Sequence, residues 1–155
     1  MRRRVVLASV LLLVACVARE EAPESVYRAF AHAVVDAGAA LVVGSGPHVV
    51  RGMEVYRGRL VAYSLGNFAT YGSFNLSGPN GLSLVLEVRL GPDGAFRGGR
   101  AVPVRQAKPG GPRLDPAGEI LPILRRLSQE DFGPSAVRVG DDGALAAPEP
   151  GSAAG

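Results

Sequence analysis

Few side chains in these 155 residues have chemistry to offer: there are two histidines, His32 and His48, and one cysteine, Cys16. His48 closes the loop Gly44-Ser45-Gly46-Pro47-His48, which directly follows the apolar triplet Leu41-Val42-Val43. A strand that runs into a Gly-Pro-His loop presents an imidazole at the carboxyl edge of a sheet, where ligands gather in α/β folds. Proline stiffens that loop and glycine lets it turn. Asn67 follows Leu65-Gly66 at the end of a second strand candidate. Its amide either supplies turn chemistry or orients a substrate or bound water. Glu54 is the next acidic residue after His48, and strand alternation is expected to point it outward from its hairpin. Ser45 is no nucleophile candidate, because Gly44-Ser45-Gly46 lacks the G-x-S-x-G elbow and no motif positions a His–Asp pair.

The elements that must carry these residues are visible as periodicities. Val26, Phe30, Ala33 and Ala37 recur at three- and four-residue steps, which predicts an amphipathic helix buried along that stripe, capped by Ser25 and ended by Gly38. His32 then lies across the helix beside Arg28 and is expected to be solvated. Leu41-Val42-Val43 reads as a short buried strand. Residues 53–56 and 59–64 read as strands joined by Arg57-Gly58 in a tight hairpin, and residues 82–90 alternate around Glu87 and Arg89. Gly91-Pro92-Asp93-Gly94 turns the chain into a strand near residues 95–104. Residues 106–116 hold three prolines and two glycines and read as loop. Residues 120–127 read as one short helix, and residues 136–139 with Leu145 as a last hairpin through Asp141-Asp142-Gly143. Tyr63, Phe68, Tyr71 and Phe74 read as core.

Composition narrows the class of function. With 47% hydrophobic and 20% charged residues the chain is globular, and one domain is the natural count. A single cysteine excludes an internal disulfide framework. The formal charge of +3 rests on Arg2, Arg3 and Arg4; without residues 1–15, 14 basic groups face 14 acidic ones. A nucleic-acid partner, which needs a clustered basic face, is therefore not expected. The same three arginines open a cationic start, followed by an uncharged run over residues 5–15. That run is shorter than the ~20 residues that span a bilayer as a helix and suits an export signal. Leu13-Val14-Ala15-Cys16 resembles a bacterial lipobox, in which the cysteine receives a diacylglycerol. Buried acyl chains contribute about 0.8 kcal/mol per methylene, enough in combination to hold a domain at a membrane. An ordinary cleaved signal with an incidental cysteine is the alternative. The expected organisation is a lipoprotein signal over residues 1–15, a linker over 16–24, a folded portion over 25–140 and a disordered tail over 146–155, with Cys16 lipidated and the protein held at the cell membrane or envelope.

Three motifs occur in order: Gly44-Ser45-Gly46-Pro47-His48-Val49, Glu54-Val55-Tyr56-Arg57-Gly58-Arg59 and Ala62-Tyr63-Ser64-Leu65-Gly66-Asn67-Phe68. Together, across residues 36–68, they closely resemble the carboxyl half of the CapA family, proteins associated with poly-gamma-glutamate capsule synthesis and related in fold to the calcineurin-like metallophosphoesterases. The likeness continues more loosely over residues 26–105. It implies part of an α/β/β/α layered sandwich with a mixed sheet, and a role in capsule or cell-surface polymer synthesis. It also implies a metal-dependent, phosphoesterase-like hydrolase using a divalent metal such as Mn, Fe or Zn. His48 matches the second histidine of the family loop and would be a metal ligand, or else a histidine that closes its loop; Asn67 would act beside it. Ser45 stands where many relatives have the first histidine, and a neutral hydroxyl is a much poorer ligand than imidazole. The ligand-bearing strands that precede this region in the family have no counterpart ahead of the predicted helix. The metal site is therefore expected to be incomplete, with an unpaired sheet edge where those strands are missing. The alternative function is a non-catalytic surface lipoprotein or degenerate remnant, with a cell-surface polymer or a complementary chain as partner.

Overall fold

The computed structural model describes residues 24–70, 72, 74–106, 108 and 111–149, with side chains from Val26 onward. The expected signal, Cys16 and Tyr71 lie outside the described residues. Among the described residues the fold is mixed α/β, with two α-helices and two sheets. Helix α1 (Glu24–Asp36) leads through a turn at Gly38 into β1 (Leu41–Val43). Strands β2 (Met53–Tyr56) and β3 (Arg59–Ala62) form the expected hairpin, with φ of 48° at Arg57 and 75° at Gly58, the left-handed pair that a two-residue turn between twisted strands requires. β3 is central: it pairs in parallel with β1 and antiparallel with β2. Leu60, Val61 and Ala62 are accordingly without solvent contact.

The second sheet is built on β4 (Leu82–Leu90) and β5 (Phe96–Gln106), with β6 (Pro112–Leu114), β7 (Arg138–Val139) and β8 (Ala144–Ala146) completing it. Helix α2 (Ile120–Phe132) lies between β6 and β7 in the chain. The main core fills the space between the sheets and α2, with Met53, Leu60 and Ala62 from the first sheet, Leu84, Phe96 and Ala101 from the second and Ile120, Leu121 and Leu124 from the helix. A smaller cluster, Ala31, Val35 and Val61, lies on the other face of the first sheet, beneath α1. This is the expected partial layered sandwich with mixed strands.

Several expectations are corrected. The apolar stripe of α1 faces outward, with Val26 52% and Phe30 50% exposed, and Arg28, Ala31, His32 and Val35 turn toward the sheet instead. The physical reason is the buried carboxylate of Glu54 beneath them, whose unpaired burial would cost more than an exposed apolar stripe. Ser25 lies inside α1, not before it. α2 continues five residues past 127, because Leu124, Ser128 and Phe132 extend one buried face at helical spacing and the Ser128 hydroxyl accepts the Met53 N–H at 3.0 Å. The proline-rich stretch contains β6, which pairs with the free edge of β5. Phe68 and Phe74 are exposed and Tyr63 is half-buried, so the aromatic residues form no common core. At the C-terminal end Ala146 belongs to β8, and Arg138 reaches the Ala147 carbonyl and the Glu149 carboxylate, so order extends beyond residue 146.

Candidate functional site

His48 and Asn67, singled out separately from the sequence, meet. The β2–β3 pairing that joins Met53 to Ala62 continues outward through Arg51 N–H to Ser64 C=O and a bridge between Val50 and Leu65. Carried two residues further, that register sets His48 opposite Asn67. His48 has φ of 59°, a left-handed backbone that His tolerates better than most residues. Asn67, 3% exposed, holds it there: its amide nitrogen donates to the His48 carbonyl at 2.8 Å and the Asn80 carbonyl at 3.0 Å, and its oxygen lies 2.9 Å from His48 Nδ1. Both carbonyls are acceptors only, so the amide orientation is fixed by chemistry. The amide oxygen must then accept a hydrogen bond from Nδ1–H. A neutral His48 therefore carries its hydrogen on Nδ1 and turns the Nε2 lone pair outward, the arrangement that second-sphere partners impose on ligating or basic histidines. The ring lies 4.8 Å from that of Phe74 and is otherwise exposed. Phe74 also borders an open cleft with Ser77, Arg105 and Lys108.

A second cluster was not foreseen. Glu54 is 1% exposed, against the expectation that it points outward. Its Oε1 is bound by Tyr63 Oη at 2.8 Å and His32 Nε2 at 2.7 Å, and its Oε2 by Ser135 Oγ at 2.9 Å and Arg28 Nη2 at 3.3 Å. His32 is thus not a solvated surface residue. Its ring stacks on Tyr56 with centroids 3.6 Å apart, and Arg28 lies over the Phe132 ring. Burial alone would raise the Glu54 pKa. The hydrogen bonds from Tyr63, His32 and Ser135, with the Arg28 charge, outweigh it and hold the carboxyl below its ordinary value. Strand alternation gave the right face but the wrong environment, because α1 covers the side of β2 that a free hairpin would expose. The legible signal was the spacing of Arg28 and His32, one turn apart on α1.

The two clusters do different work. Glu54 ties α1, the β2–β3 hairpin and the Gly133–Ser135 turn together, and its partners saturate it. His48 is the group left with an outward lone pair. Among the described residues no group of three or more His, Cys, Asp or Glu could hold a metal ion. One imidazole with a serine at position 45 does not fit the dinuclear centre implied by the resemblance.

The chain matches the family described as bacterial capsule synthesis protein PGA_cap over residues 7–71. Over residues 7–71 the chain is similar to the CapA proteins. The chain is 50% identical to the PGA biosynthesis protein CapA of Bacillus subtilis over 46 residues, 30% of this chain and 12% of that protein. The capsule biosynthesis protein CapA of Bacillus anthracis is 48% identical over 46 residues, covering 30% and 11%. An uncharacterised protein of Sinorhizobium fredii is 50% identical over 48 residues, covering 31% and 10%. The aligned part is about a tenth of the length of these CapA relatives. The CapA match takes in His48, Glu54 and Asn67, and its first residues fall within the apolar run at positions 5–15.

Proposed function

We propose that this CapA-like chain serves capsule or cell-surface polymer synthesis, poly-gamma-glutamate being the polymer the relatives' names suggest. It does so by supplying one prepared imidazole to a centre that other residues complete. The observation that carries this reading is the Asn67 clamp. Asn67 makes two hydrogen bonds to His48 and a third to the Asn80 carbonyl, and it leaves Nε2 available as a ligand or a base. A purely loop-closing histidine has no need of a buried amide that selects its tautomer. Among the described residues no further donors join His48, which is why the reading assigns it to a shared centre.

Elemental analysis of the full chain, purified without chelators, tests the reading. The expected result is less than one equivalent of Mn, Fe or Zn per chain, together with weak Zn2+ binding that broadens the His48 resonances and disappears in His48→Ala. One or two tightly held equivalents, lost in His48→Ala, would show a complete centre and overturn it.

A further inference from the structure

Helix α1 is fastened to the rest of the protein by polar contacts more than by apolar packing. None of its residues belongs to the main core, and it gives the smaller cluster only Ala31 and Val35. Its larger apolar groups, Val26, Tyr27 and Phe30, are exposed. What reaches down instead is a pair of basic side chains one turn apart: Arg28 and His32 both bond the buried carboxylate of Glu54 on β2. Further links are exposed or long. Asp36 pairs with Arg57 at 2.8 Å where both side chains meet solvent, and takes the Tyr56 hydroxyl at 3.4 Å; Arg28 reaches the Asp131 carbonyl at 3.3 Å. The hydroxyls of Tyr63 and Ser135, which also bond Glu54, belong to the body and not to α1.

We propose that α1 is an acid-released latch: it is docked while Glu54 is ionised, and it leaves the first sheet as a unit, the main core staying folded, once Glu54 takes up a proton. A neutral carboxyl no longer answers the Arg28 guanidinium. In acid an imidazole is cationic, so two positive groups then face each other across an uncharged one. Both side chains are partly buried, and an uncompensated charge held away from water is costly when undocking α1 would hydrate it. The groups that face Glu54 are Arg28 and His32 from α1, Tyr63 beyond β3 and Ser135 in the Gly133–Ser135 turn. Tyr56 stacks on His32, Phe132 lies against Arg28, Asp131 meets Arg28 through its carbonyl, and Asp36, one turn beyond His32, is engaged by Arg57. Burial works against the charge on Glu54, but the Tyr63, His32 and Ser135 hydrogen bonds and the Arg28 charge outweigh it. Docking is therefore at full strength above the ordinary glutamate value and is lost as pH falls through the lowered one. Release frees the inner face of α1 and uncovers the Val61 and Tyr63 side of the first sheet.

Hydrogen exchange of the full chain tests this, with rates expressed as protection so that the intrinsic effect of pH cancels, in steps from about pH 7 to about pH 3. The amides of Ala31 and Val35 in α1 are expected to lose protection about tenfold or more at a pH where those of Leu60 in β3 and Leu124 in α2 keep theirs. In Glu54→Gln, which keeps the volume and removes the charge, α1 protection is expected to be low already at neutral pH and to be independent of pH. Should Glu54→Gln fail to fold, His32→Gln removes one of the two bases and leaves Glu54 in place; lower α1 protection at neutral pH and a smaller drop in acid are then expected. Protection lost in α1, β3 and α2 together at one pH overturns the proposal. So does α1 protection that is the same at every pH, or that falls in the variant as it does in the original chain.

Discussion

Asn67 and Glu54 show how far a single side chain can organise its surroundings. Replacing Asn67 by Asp sets a carboxylate oxygen against the His48 and Asn80 carbonyls in place of a donor. Unfolding in urea should show a loss of about 1–3 kcal/mol for Asn67→Asp, the cost of leaving buried polar groups unmatched. Glu54→Ala leaves Arg28, His32, Tyr63 and Ser135 without their common acceptor and is expected to cost about 3–5 kcal/mol, whereas Glu54→Gln keeps the volume and should cost less. Glu54 also fixes a pH dependence. Its folded pKa is lowered, so the unfolded chain binds the proton more readily, and the stability it contributes is present above the ordinary glutamate value and lost as pH falls through the lowered one. Urea midpoints measured at descending pH should show that acid limb, reduced in Glu54→Gln. His48 and Asn67 were legible as residues because each ends a strand. Glu54 and His32 were misjudged because their environment depends on which face of α1 turns inward, and that is decided by the carboxylate and not by the apolar stripe.

At the scale of elements, the hairpin was the most legible part, since Arg57-Gly58 fixes a register that can be counted outward. Counting it from Tyr56 opposite Arg59 to His48 opposite Asn67 would have joined the two site residues from sequence alone. β6 and the last turn of α2 were not legible, because pairing with β5 and packing of Ser128 and Phe132 are tertiary contacts. Gly66, the link between β3 and Asn67, has φ of 82°, and a Cβ there would lie 2.8 Å from the Leu82 carbonyl oxygen. Gly66→Ala is therefore expected to destabilise by about 1–3 kcal/mol and to loosen Asn67, visible as faster exchange of its amide. Ser83, bridged to Gly66, buries a hydroxyl with no hydrogen-bond partner. Removing that orphan in Ser83→Ala should raise the thermal midpoint, by the equivalent of about 1 kcal/mol.

For the whole molecule, the two sheets meet where the site lies. Leu84 N–H donates to the Leu65 carbonyl, Gly66 bridges to Ser83 and Asn67 donates to the Asn80 carbonyl, so the loop that holds His48 is braced from the second sheet as well as the first. The layered architecture was foreseeable from the motifs, which specify the hairpin and the strand after it. Which face α1 presents, and how the described residues fall short of a metal centre, follow from contacts that no local pattern encodes. The central claim is that this framework exists to present His48 through Nε2. Nitrogen-15 NMR of the His48 ring at a pH where it is neutral tests that claim most directly. The account predicts a hydrogen fixed on Nδ1, bonded to Asn67, with Nε2 bare; a ring protonated mainly on Nε2, or averaged between the two nitrogens, would contradict it.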